Sequence, residues 1–239
     1  MKKGELTTQQ IVILIILIVS FLIILFLLFR LSLGATSQKE ICHNSVITRG
    51  KSLFTEALDC KTDYICISGG GDCENFISSS KIEIKLDEKG KESIMKVLAD
   101  QMSSCWWTFG EGKINYGTSG GTSLKCAICS IVRFDGKIQE SFQSISYKEF
   151  YDYLEKTKKD EAKTYLAYLY TSWNLDSLEI SPEFSVSLDE DSINTAESYS
   201  IITGIDDNLF NSDNFLETVL IKSKETSTKT KCEEFVTKA

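Results

Sequence analysis

LKCAICSIVRF, residues Leu124 to Phe134, is short, rich in Ile, Val and Phe, and bounded by a glycine-rich stretch before it and by Asp135-Gly136 after it. These are the marks of a buried strand that ends in a turn. That reading decides what Cys126-Ala-Ile-Cys129 does. A dithiol redox motif has this spacing, but it opens a helix whose amino-terminal end lowers the thiol pKa. In an extended strand, residues three apart point to opposite faces, so the two sulfurs join different partners. A structural role is therefore the expectation, with a redox pair of Cys126 and Cys129 as the alternative. Four-cysteine zinc binding would need a second close pair, and the one histidine, His43, has no companion at ligand spacing. No metal and no cofactor is expected.

The other cysteines are spread more loosely. Cys42, Cys60, Cys66, Cys73, Cys105, Cys126, Cys129 and Cys232 are an even set of eight, which reads as a disulfide framework outside the cytosol. Sequence does not choose among the roughly one hundred possible pairings. About two hundred residues are enough for a core without crosslinks, so the bridges exceed what size alone requires. The formal net charge of -8 and pI near 4.9 exclude nucleic acid as the main partner, because phosphate binding needs surplus Lys and Arg.

On the amino-terminal side of the strand, Ile94, Val97, Leu98, Met102 and Cys105 form one helical stripe that ends at Trp106, Trp107 and Phe109. Adjacent helical residues point about 100° apart, so one tryptophan can bury while the other meets a partner. Large aromatics mostly pack inward, which favours both in the core. Lys81 to Leu86 alternates as a strand, and Tyr64 to Ile67 is a second one closed by Ser68-Gly-Gly-Gly-Asp72. Ser37-Gln-Lys-Glu40 has capping-box spacing before a helix that carries Cys42 and His43.

On the carboxyl-terminal side, Ser146-Tyr-Lys-Glu149 is a second capping box, and Leu166, Leu169, Tyr170 and Trp173 fit a helix from about Asp160. Phe184 to Leu188, Tyr199 to Thr203 and Thr218 to Ile221 read as strands. The fold class is α+β. A lobe boundary, if there is one, falls near residues 174–198.

Ile11 to Phe29, IVILIILIVSFLIILFLLF, is apolar except for Ser20. The expectation is a single transmembrane helix within residues 11–33, after a cytoplasmic tail of residues 1–10, with the lipid bilayer as its partner. Residues 34–59 then read as a membrane-proximal helix or linker and residues 60–239 as the extracytoplasmic domain. Lys2 and Lys3 before the run and Arg30, Lys39 and Arg49 after it leave orientation unsettled by charge. The cysteines place the carboxyl-terminal domain outside.

The first residues, MKKGELTTQQIV, add one resemblance. Lys3-Gly4-Glu5-Leu6, followed by Gln9, Gln10 and the apolar run, resembles the class III signal of archaeal type IV prepilins. The resemblance implies cleavage between Gly4 and Glu5 and an apolar helix that anchors and later assembles the subunit.

Other chemistry finds little support. Gly110-Glu-Gly-Lys113 lacks the Ser or Thr and the glycine spacing of a phosphate loop. Nothing in sequence pairs Glu111, Asp135 and Glu140 as acid and base. The expectation is a surface protein whose disulfide-stabilised domain binds a protein partner or self-assembles. A pilin-like filament subunit and a thiol-disulfide oxidoreductase are the alternatives.

Overall fold

The computed structural model describes residues 8–32, 38–51, 58–117, 124–178, 191–206, 215–225, 232 and 234–237. Gly4, Glu5, the strand expected over residues 184–188, and residues 179–190 of the expected boundary lie outside them. The chain forms two units, Met1–Ser37 and Gln38–Ala239.

The first unit contains α1, Thr8–Ser32, so Thr8, Gln9 and Gln10 are helical rather than tail. Every described apolar side chain from Ile11 to Phe26 is exposed, from 42% at Leu25 to 64% at Leu17. The transmembrane expectation is corrected here: among the described residues no helix is long and apolar enough to cross a membrane.

The second unit begins with α2, Gln38–Lys51, whose Cys42 and Val46 are buried. Its sheet is mixed. The order is β2 (Ser80–Glu83), β1 (Asp63–Ser68), β3 (Leu124–Phe134), β6 (Tyr199–Asp206) and β7 (Phe215–Lys222), with β8 (Glu234–Phe235) also on β3. β1 runs parallel to β2 and β3, and β8 is parallel to β3. β6 is antiparallel to both its neighbours. β3 is the central strand, flanked on both edges, which accounts for its nearly continuous apolar sequence. The chain leaves β2 through α3, Gly90–Thr108, and returns as β3. This crossover is what permits β1 and β3 to be parallel.

The stripe on α3 faces the core as its spacing predicts, with Ile94, Leu98 and Met102 all at 0% exposure. They pack with Ile65 and Ile67 of β1, Val132 of β3 and Leu220 of β7. Helix α5, Tyr147–Lys156, starts at the expected capping box, where Ser146 Oγ accepts from Glu149 N at 3.1 Å. The next helix is shorter than the pattern suggests. Thr164 caps α6, Tyr165–Tyr170, and Thr171 ends it in the left-handed region at φ 53°. Trp173 consequently falls outside the helix and is 63% exposed.

Asp135-Gly136 is not a hairpin turn. Asp135 caps α4, Gly136–Ser141, through a 2.9 Å bond from Ile138 N. A short antiparallel pair, β4 (Ser144–Ser146) and β5 (Ser192–Asn194), sets Ile145 opposite Ile193. Both are fully buried, so the chain on either side of residues 179–190 is knitted together.

The edge strand β7 is closed by tyrosines. Tyr147 Oη donates to Leu220 O at 3.1 Å, and Tyr170 Oη donates to Thr218 O at 2.8 Å. Tyr151 Oη lies 3.0 Å from Tyr170 Oη. Carbonyls satisfied in this way are poor templates for a further strand. Burial pushes the Tyr151 hydroxyl up to about 12, so it stays protonated as a donor.

Candidate functional site

All eight cysteines are paired: Cys42–Cys60, Cys66–Cys73, Cys105–Cys129 and Cys126–Cys232. No free thiol remains. Cys126 and Cys129 take different partners because they lie on opposite faces of β3. Ile128 pairs with Ile202 and Ser130 with Ile201, leaving Cys129 as the extra residue of a bulge. Cys129 meets α3, whereas Cys126 packs with Ile202, Val219 and Ile221 on the other face. The bridge to Cys232 holds β8 against β3, where Val236 N donates to Cys126 O and Thr237 Oγ1 accepts from Ile128 N.

The two tryptophans part company. Trp106 is buried at 8%, while Trp107 is 37% exposed. Trp107 stacks on His43 with ring centroids 4.0 Å apart and planes 18° from parallel. His43 Nδ1 is 3.1 Å from Thr108 O. A carbonyl only accepts, so Nδ1 carries the proton. Among the described residues the imidazole's contacts are this carbonyl and the Trp107 ring, and they tie α2 to the end of α3.

The carboxylates considered as acid and base have separate neighbours. Glu111 accepts from Tyr168 Oη and Lys113 Nζ, each at 2.6 Å. Burial pushes its carboxyl up, but these two bonds and the charges of Lys113 and Lys159 outweigh it and leave the pKa below the ordinary value. Glu140 is exposed on α4. Asp135 is 1% exposed and organises the carboxyl ends of β1 and β3. Its Oδ2 accepts from Ser68 Oγ at 2.9 Å, Gly69 N at 3.0 Å and Gly71 N at 2.7 Å. A Cβ on Gly71 would lie 2.8 Å from that oxygen, so the loop requires glycine there. Burial raises the Asp135 pKa, and the bonds from Ile138 N, Gly69 N, Ser68 and Gly71 N more than reverse this.

Beside this loop is a polar cavity of about 320 Å³, with Arg133 in its wall and Glu74, Asn75, Gln139, Thr195 and Glu197 around it. Three separate segments build it. Arg133 is the penultimate residue of β3, in register with Cys66 on β1, and the Cys66–Cys73 bridge brings Glu74 and Asn75 alongside. Arg133 Nε donates to Ser198 Oγ at 2.9 Å. Its Nη1 donates to Glu74 O at 3.1 Å and Asn75 O at 3.4 Å. The guanidinium also lies over the Phe76 ring, 5.5 Å from its centroid. These contacts fix the plane of the group, and the Asn75 beneath it has a left-handed backbone, φ 54°. Sequence reasoning passed over this site. The available signal was a charged residue inside an otherwise apolar strand end, Ile131-Val-Arg-Phe134.

Glu217 on β7 is shifted the opposite way from Glu111 and Asp135. Burial pushes its carboxyl up against a weaker opposing backbone hydrogen bond. An acid with a raised folded pKa favours the native state while protonated, and that contribution is lost as pH rises through the folded value. Glu217→Gln is therefore expected to raise the unfolding midpoint at pH 7 by about 2 °C and to leave it unchanged near pH 3. An equal shift at both pH values, read by circular dichroism melts, would contradict the burial argument.

Comparison with family models, with curated proteins and with solved structures finds no match for this chain.

Proposed function

We propose that the Gln38–Ala239 unit is an extracytoplasmic module that works by binding a protein partner or by building an assembly, rather than by catalysis. The observation that carries this is the use of every cysteine in four crosslinks. Bridges in such number persist in oxidising compartments and are reduced in the cytosol. Thiol exchange through Cys126 and Cys129 is disfavoured, since each sulfur is bonded to a distant residue. The acidic charge argues against nucleic acid as partner.

A pilin-like subunit is the more specific reading. It is favoured by α1, whose apolar side chains are exposed along its described length and which starts shortly after the Gly4-Glu5 pair. A contiguous apolar surface of that size calls for cover. Copies of the same helix would supply it in an assembly.

One experiment tests both readings. The full-length protein is alkylated before and after reduction, and its peptides, including the amino terminus, are mapped by mass. Eight cysteines that react only after reduction support the extracytoplasmic module, and a chain beginning at Glu5 supports the pilin-like version. Free alkylation of Cys126 and Cys129 without reduction would overturn the proposal.

A further inference from the structure

We infer that the Arg133 cavity is a binding site for a small polar carboxylate that also carries hydroxyl or ammonium donors. This goes beyond the binding-or-assembly reading, because it assigns a small-molecule site to one end of the sheet.

The half-buried guanidinium is oriented by neutral groups only: a serine hydroxyl, two backbone carbonyls and an aromatic face. Among the described residues no carboxylate comes within the 4.0 Å of an ion pair with it. The two hydrogens of Nη2 take part in none of these bonds, so one arm of the group is uncommitted. A fixed, partly desolvated guanidinium with an open arm is best matched by a planar carboxylate.

The rest of the wall selects among carboxylates. Glu197 is paired with the exposed Lys224 at 3.1 Å, so Arg133 and Glu74 are the opposing charges of the lining without an ion pair among the described residues. Gln139 Nε2 gives one of its two hydrogens to Phe134 O at 2.9 Å, which fixes the amide, and its Oε1 accepts from none of the bonds around the cavity. The Thr195 hydroxyl donates to Gln143 O at 3.2 Å and also retains acceptor capacity. Away from the guanidinium the cavity therefore presents acceptor oxygens at Glu74, Gln139 and Thr195, with one remaining Gln139 N–H as a donor beside them. A bare inorganic anion would leave them unmatched and would face Glu74, and an apolar acid would strand them. Two sources satisfy the same chemistry, an α-amino acid through its ammonium and a sugar acid through its hydroxyls.

The test uses the full chain in a neutral detergent, with amide chemical shifts followed at Asn75, Gly136 and Ala196. The ligands are L-serine and D-glucuronate, each beside its methyl ester, with sulfate as a further control. A saturable shift with serine or glucuronate that the ester weakens at least tenfold is the expected result, and which of the two responds identifies the source. Arg133→Gln should weaken binding at least tenfold. Glu74→Gln, at an exposed position, should weaken it about threefold while leaving the spectrum folded. The proposal is overturned if acid and ester bind alike, if sulfate alone binds, or if no probe gives a saturable shift. The acid-against-ester comparison on the unaltered protein decides the matter even where Arg133→Gln fails to fold.

Discussion

Replacing Cys126 and Cys232 together by alanine is expected to destabilise the domain by about 4 kcal/mol, with the other three bridges intact. Loop length gives the first reason. The two residues are 106 apart in sequence, against separations of 18, 7 and 24 for the other pairs, and the denatured chain gains most freedom when the longest loop opens. Position gives the second. The bridge holds β8 on β3, and without it the Val236 N to Cys126 O and Ile128 N to Thr237 Oγ1 bonds lose their tether. Denaturant unfolding of the double variant, compared with Cys66→Ala/Cys73→Ala, measures the effect. A loss no larger than that of the short loop would contradict the account.

Asp135→Ala is expected to cost about 4 kcal/mol, close to the upper range for single substitutions, because it leaves several donors around one buried carboxylate without an acceptor. Asp135→Asn should cost about 2 kcal/mol. An amide oriented with its oxygen towards Ser68, Gly69 and Gly71 retains three bonds and opposes only Ile138 N. The wild type should show the matching pH dependence. A carboxyl whose folded pKa is depressed contributes stability that is fully present above the unfolded pKa of about 3.9. That stability is lost as the pH falls through the lower folded value. Urea titrations should therefore show a wild-type advantage over Asp135→Ala that is constant from pH 7 to about pH 5 and shrinks below pH 4. A gap under about 1 kcal/mol at pH 7 would mean that the loop finds other acceptors.

How legible these features were depended on whether their cause is local. The strand Leu124–Phe134 has the bounds that its apolar run and flanking turn residues indicate, because a central strand writes its burial directly into sequence. Helix α5 begins where its capping box lies, and α3 buries the stripe that its spacing marks. Asp135 shows the limit of local signals: an Asp-Gly pair suits both a tight turn and a helix cap, and beside the local bond from Ile138 N its second oxygen is held by donors at Ser68, Gly69 and Gly71. Those donors are more than sixty residues away. The strand at Lys81 to Leu86 is shorter than its alternation suggests, since β1 offers partners only as far as Ser68 opposite Glu83. The Arg133 cavity has one local trace, the charge within the apolar strand end Ile131-Val-Arg-Phe134, and that trace names none of its other walls. It exists because a disulfide, a strand end and the turn after β5 converge, and none of these announces the others in sequence.

The pairing of the four bridges also bears on how the chain matures. Cys42 with Cys60 and Cys66 with Cys73 join neighbours along the sequence, so each closes a short loop without waiting for any later cysteine. The remaining pairs interlace: Cys105 skips Cys126 to reach Cys129, and Cys126 waits for Cys232, which lies 106 residues further on. An oxidant acting on residues in order of arrival would join Cys105 to Cys126, and that error must be undone before β8 can dock. Regain of the native pairing from the reduced chain should therefore be faster in a thiol redox buffer, which reshuffles a Cys105–Cys126 bridge, than with an oxidant alone.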